Sequence, residues 1–270
     1  MRSLVTSLFC GAVGCMTLSS VATAQVVVFD NSDGQFIWEE IIDGKDFGGP
    51  FFGSFYLDIT QGPEQVDDPP AFGTAPSHAL RLDHSTDLGE PYFGQYRIVG
   101  LSDSRVAVGP TKLIDDPEGE PHPFVFVEEF MPGDTVDAAA DFGNLSGAIR
   151  VYNWQTSPSI NMNVPSDGGF AGVRIILNGH VHYGWIEFTD AGGLGPNQPI
   201  RWAYETEPDK PIMIPIPGDL TGDGTVGIAD LFILLDAWGP CRPSGDCPAD
   251  LNGDGVVDVF DLLILLAAWG

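Results

Sequence analysis

Residues 170–188 read FAGVRIILNGHVHYGWIEF. Two β-rich runs flank Asn178-Gly179, and a two-residue Asn-Gly link favours the tight turn whose twist matches the strands on either side. A hairpin is therefore expected here, and it sets the class of the sequence around it. Upstream, the chain is a series of short apolar runs broken by Gly, Pro, Asn and Asp, without a long stretch of helical period. QVVVF from 25, GSFYLDI (53–59), QYRIVGL (95–101), FVFVEEF (124–130) and GAIRVYNW (147–154) read as further strands. The expected fold class is mainly β, with residues 25–206 forming one β-sandwich or jelly roll. The interruptions at 61–77 and 110–123 are rich in Pro and acid and read as surface loops.

Downstream of the hairpin the text changes. EPDKPIMIPIPG (207–218) strings prolines together. Proline forbids a regular helix and stiffens an extended chain, so 207–216 reads as a linker. Two copies of one pattern follow: GDLTGDGTVGIADLFILLDAWG from 218 and ADLNGDGVVDVFDLLILLAAWG from 249, offset by 31 positions (Asp219 to Asp250). In an EF-hand type loop the ligands come from positions 1, 3, 5, 7, 9 and 12, with Gly at 6 for the sharp turn. The second copy places Asp250, Asn252, Asp254, the Val256 carbonyl, Asp258 and Asp261 in those slots, with Gly255 at position 6. The first places Asp219, Thr221, Asp223, the Thr225 carbonyl, Gly227 and Asp230, with Gly224 at position 6. Carboxylates crowded into a twelve-residue loop repel one another, and a hard cation that takes six to eight oxygens relieves this repulsion. Ca2+ fits better than Mg2+, which wants a tighter octahedron with fewer protein oxygens. Two calcium sites are expected. The second should be the tighter, because Thr221 offers only a hydroxyl and Gly227 has no side chain.

The arrangement resembles the type I dockerin repeat over residues 217–270: Asp-x-x-Gly-Asp-Gly-x-Val, Asp at position 12, then a leucine-rich helix ending in Ala-Trp-Gly. Pro217 and Pro248 stand where an EF-hand would have its entering helix, which dockerin loops likewise lack. The resemblance implies a small calcium-folded module that attaches a secreted protein, often a polysaccharide-degrading enzyme, to a cohesin. Cellulosomal dockerins carry Ser-Thr at positions 10 and 11, whereas here these are Ile228-Ala229 and Val259-Phe260. The partner expected for 217–270 is thus a cohesin-like or other surface protein, or a second tail. LFILLDAW (231–238) and LLILLAAW (262–269) are apolar nearly all round and too short to span a membrane, which needs about 20 residues.

At the other end, Arg2, the apolar stretch Leu4–Val21 and Ala22-Thr23-Ala24 read as a signal peptide over 1–24, with a secreted or cell-surface destination. The leader holds Cys10 and Cys15, which leaves Cys241 and Cys247 as a pair in an oxidising setting, where a disulfide is expected. The balance of 38 acids to 11 bases, a net charge of −27, argues against nucleic acid as a partner, since phosphate binding needs clustered Lys and Arg.

The β part offers little chemistry. His180 and His182 share a strand face but lack a third ligand. Neighbours on a strand point to opposite faces, so neither Glu39-Glu40 nor Glu128-Glu129 can flank one sugar bond alone. Trp154, Tyr183, Trp185, Trp202 and Tyr204 are available to stack on sugars, though aromatics in a β domain are more often core. The hairpin with RWAYE (201–205) also resembles a segment of uncharacterised exported bacterial β-rich proteins. The expected function is a non-catalytic adhesive or carbohydrate-associated β module, with a polysaccharide as its ligand, attached through its calcium-binding tail. The alternatives are a secreted glycoside hydrolase carrying a dockerin and a structural envelope protein.

Overall fold

A computed structural model describes residues 26–30, 52–60, 79–85, 93–101, 103–115, 118–144, 146–153, 161–162, 169–189, 198–242 and 247–270. The expected leader, Glu39-Glu40, the interruption at 61–77 and Trp154 lie outside the described residues.

In chain order the strands are β1 (Val26–Asp30), β2 (Phe52–Asp58), β3 (Ala79–Ser85), β4 (Phe93–Gly100), β5 (Arg105–Val106), β6 (Val108–Asp115), β7 (Pro121–Val127), β8 (Glu129–Phe130) and β9 (Thr135–Val136). They continue with β10 (Ser146–Asn153), β11 (Asn161–Met162), β12 (Gly169–Leu177), β13 (His180–Thr189), β14 (Gln198–Glu205), β15 (Ile212–Met213), β16 (Gly239–Pro240) and β17 (Val256–Val257). Two helices, α1 (Ile228–Asp236) and α2 (Val259–Ala267), belong to the repeats. The described chain is mainly β, as expected.

The hairpin of residues 170–188 is the spine of the first sheet. Asn178 (φ 53°) and Gly179 (φ 82°) both take left-handed conformations, and β12 pairs β13 without interruption from Gly169↔Phe188 to Leu177↔His180. This sheet runs β1-β14-β13-β12-β5, with β8 also on β12. The second runs β2-β3-β4-β10-β7-β6, with β11 on β10. Alternation along the strands puts Leu57, Leu80, Leu82, Ile98 and Ile149 of the second sheet into one core with Val173, Ile175, Ile186, Phe188 and Trp202 of the first. At Gly184 a Cβ would lie 2.5 Å from the Ala203 carbonyl oxygen and 2.9 Å from Ile59 Cδ1, so a side chain here would hold the two layers apart.

The first sheet is buried on its outer face as well. Phe130, Val136, Phe142, Phe170, Tyr183, Trp185, Ile212 and Ile214 form a second cluster there. Phe170 meets Trp185 edge to face at 5.6 Å.

Two expectations are corrected. The interruption at 110–123 is largely strand: β6 and β7 pair antiparallel from Val108↔Val127 to Asp115↔Pro121. Pro110 is tolerated because β6 is the last strand of its sheet and the register shifts between Val108 and Thr111, so the missing N–H breaks no ladder. Residues 207–216 are extended, as proline dictates, but they do not hang free as a spacer. Ile212 pairs Val136, Ile214 N–H donates to the Asp134 carbonyl at 2.8 Å, and Ile212 and Ile214 are buried. The isoleucines between the prolines anchor this segment as a strap across the β part.

Candidate metal centre

The two repeats fold into one module with its own core of Val226, Leu234, Ala249, Val257 and Leu265. Each repeat is a tight loop that feeds directly into its helix. In the first, Asp219 Oδ1 accepts from the N–H groups of Gly222 (2.8 Å) and Asp223 (3.2 Å), and Oδ2 from that of Gly224 (2.8 Å). In the second, Asp250 Oδ1 accepts from Gly253 (2.9 Å) and Asp254 (3.2 Å), and Oδ2 from Gly255 (2.8 Å). The turns that aim these N–H groups inward need left-handed backbone at position 6, and Gly224 (φ 87°) and Gly255 (φ 86°) supply it.

The middle of each loop is tied the same way. Asp223 Oδ1 accepts from Thr225 N–H at 3.0 Å, and Asp254 Oδ1 from Val256 N–H at 2.9 Å. At position 3 the hydroxyl of Thr221 donates to Asp219 at 3.2 Å, while the amide of Asn252 donates to Asp254 at 3.0 Å. Position 12 closes the loop. Asp230 accepts from Thr221 N–H (2.9 Å) and Gly227 N–H (2.7 Å). Asp261 accepts from Leu251 (2.7 Å), Asn252 (3.1 Å) and Asp258 (2.7 Å). The loops differ at position 9, where Asp258 caps α2 by accepting from Phe260 N–H at 2.8 Å and Gly227 has no side chain with which to cap α1.

Asp230 and Asp261 are almost fully buried. Burial alone raises a carboxyl pKa, but the backbone donors, Gly227 and Thr221 for Asp230 and Asp258, Asn252 and Leu251 for Asp261, outweigh it and hold both below the usual carboxylate range. A carboxylate whose pKa is lower in the folded state adds stability above its unfolded value, and that stability is lost as the pH falls through the folded value. The helical circular dichroism of the module is therefore expected to hold at neutral pH and to decay below about pH 4, where free aspartates protonate.

The two repeats also exchange backbone contacts. Gly239, which follows α1, pairs with Val257 at position 8 of the second loop. Gly270, which follows α2, donates its N–H to the carbonyl of Val226 at position 8 of the first loop at 3.3 Å. This reciprocal exchange relates the repeats by an internal two-fold. The expected disulfide is present between Cys241 and Cys247, with their Cα atoms 5.8 Å apart. It braces the second loop from both sides: Cys241 N–H donates to the Gly255 carbonyl and Asp250 N–H to that of Cys247, each at 2.9 Å. Cys241, Cys247 and Asp250 lie close enough together to suggest a metal group, but disulfide sulfurs carry no thiolate for a metal.

A cleft of about 770 Å³ separates the module from the outer edge of the first sheet. Asp219 and Asp250 line one wall, and Asp30, Glu187 and Arg201 line the other. These three are cross-strand neighbours on β1, β13 and β14, and Arg201 Nε donates to Glu187. No sequence motif marks this cleft, because it forms where two distant segments meet.

The remaining candidates do not converge. His182 is buried with Nδ1 2.8 Å from the Glu205 carbonyl oxygen, while His180 is exposed, so the pair forms no shared metal site. Tyr183, Trp185 and Trp202 are buried core residues and Tyr204 is half-buried, so none of these four offers an exposed stacking platform for a sugar. Glu128 lies between β7 and β8, half-buried, and its carboxyl pKa is pushed up by burial and by the nearby Asp141 and Asp134, while Glu129 is exposed.

No family model, curated protein or solved structure matches the chain.

Proposed function

We propose that residues 217–270 are a calcium-folded, dockerin-like attachment module and that the chain is an exported protein whose β-sandwich is the part carried. The observation that supports this most strongly is the position-by-position recurrence of one carboxylate cradle: Asp219 and Asp250 hold the N–H groups of positions 4, 5 and 6, while Asp230 and Asp261 close the loop. Asx turns alone need no such concentration of acid, whereas a hard divalent cation does. Asp219, Thr221, Asp223 and Asp230 would hold one Ca2+. Asp250, Asn252, Asp254, Asp258 and Asp261 would hold the other, with the Thr225 and Val256 carbonyls completing the two sets. Calcium supplies the positive charge that lets these carboxylates sit together, and in so small a module that binding energy is folding energy. The second site is the tighter in this reading, with Asp258 added and the disulfide bracing its loop.

The module is an attachment device because its helices face outward with apolar side chains and no catalytic group. Among the described residues no helix is long and apolar enough to cross a membrane. Chelation tests the proposal. On addition of EDTA the full chain should lose its helical signal and recover it with excess Ca2+, while the near-ultraviolet signal of the buried Trp185 and Trp202 is kept. A helical signal indifferent to both additions would refute the calcium reading.

A further inference from the structure

The two loops present the same backbone to different surroundings at position 6. Gly224 N–H donates to Asp219 and Gly255 N–H to Asp250, each at 2.8 Å, and both glycines are left-handed. A Cβ built on Gly255 would meet nothing within 4 Å among the described residues, whereas one on Gly224 would lie 3.0 Å from Met213 Cε and 3.4 Å from its Sδ. The thioether of the strap therefore lies against the turn of the first loop. The Gly224 bond is partly buried in consequence, and the Gly255 bond is exposed. The neighbours of Met213 fix its place. Ile212 and Ile214 are buried in the β part, Met213 pairs with Thr135, and Gly133 N–H donates to the Ile214 carbonyl at 3.0 Å. Alternation along the strap turns Met213 to the opposite side, towards the loop, where it stays 40% exposed. The first loop also has less to hold it than the second. Gly227 supplies no carboxylate at its position 9, and the Cys241–Cys247 bridge braces the other loop.

We propose that Met213 is a site of oxidative modification that controls the first loop: a peroxide converts its thioether to the sulfoxide, and the loop loosens. The peroxide O–O bond breaks, one oxygen bonds to Sδ as the sulfur gives up two electrons, and the other oxygen leaves as water. The product is a polar, chiral group where a flexible apolar one stood. Susceptibility to this chemistry follows exposure, which Met213 has. With Sδ so close to Gly224, the added oxygen either presses on the turn or swings the side chain out to water. Both outcomes remove the apolar contact that shields the Gly224 N–H and its bond to Asp219. The second loop has no such neighbour at position 6 and should not respond. A weaker first calcium site follows, and this part alone rests on the calcium reading above.

Hydrogen exchange of the full chain before and after treatment with hydrogen peroxide tests the proposal. Mass spectrometry of the peptides reads exchange and locates sulfoxides together, and calorimetry follows calcium uptake on the same samples. Expected are a sulfoxide at Met213, roughly tenfold faster exchange over 221–226 with 252–257 unchanged, and a weaker calcium event reduced in affinity about tenfold. In Met213→Leu, which keeps an apolar side chain but has no sulfur to oxidise, peroxide should change neither readout. Met131, 52% exposed in the β part, is the control, and Met131→Leu should respond as the unaltered chain does. A chain oxidised at Met213 whose first loop exchanges as before overturns the proposal. So does a Met213 left intact under conditions that oxidise Met131, and so does a Met213→Leu chain whose first loop still loosens. Faster exchange over 221–226 in a chain that takes up no calcium even before oxidation supports the role of Met213 and overturns the calcium reading instead.

Discussion

Asp261→Ala should unfold the repeat module while the β part stays folded. The carboxylate of Asp261 accepts three backbone N–H groups, from Leu251, Asn252 and Asp258, inside a site closed to water. Alanine strands all three donors, and each buried donor left unpaired costs about 1–3 kcal/mol. It also removes the position-12 oxygen expected to ligate calcium. A loss of at least about 3 kcal/mol exceeds what a module of this size can spare. Because Val257 of this loop pairs with Gly239 after α1, the damage should spread to the first repeat. Thermal unfolding followed by helical circular dichroism in Ca2+ should show the module transition gone. Asp261→Asn should be milder, since an amide oxygen can still accept from the backbone. Equal loss in both variants would mean that charge, not loop closure, is what Asp261 contributes.

Trp202→Ala should do the reverse. Trp202 is fully buried between the sheets and packs against Phe29 at a ring separation of 6.1 Å, so truncation leaves a cavity in the shared core. Such truncations cost about 3–5 kcal/mol. The β transition in a urea titration should move to markedly lower denaturant, with calcium uptake by the repeats unchanged. Calcium affinity that falls together with β stability would show that the strap of residues 207–216 makes one cooperative unit of the two parts. Contacts allow that outcome: Ile212 and Ile214 are anchored in the β part, and the chain continues through Ile216, which packs on the core of the module.

Much of this architecture is local and therefore legible in the sequence. Asn178-Gly179 has few alternatives to a tight turn, and the loops announce themselves through aspartate and glycine at fixed spacing. What escaped reading is non-local. β7 lies parallel to β10, with Phe126 beside Ala148, and no pattern in either strand foretells that partner. Proline at 110 reads as a breaker until the strand is known to lie at a sheet edge. The alternation of Ile212 and Ile214 was the available sign that the proline-rich segment has a buried side. The aromatics near the hairpin give no sign of their direction until both faces of the first sheet are known to be covered.

Calcium titration of the full chain by isothermal calorimetry tests the central claim most directly. Two binding events per chain are predicted, the tighter one lost in Asp254→Ala and the weaker one in Asp223→Ala. A chain that takes up no calcium with the module folded would contradict it.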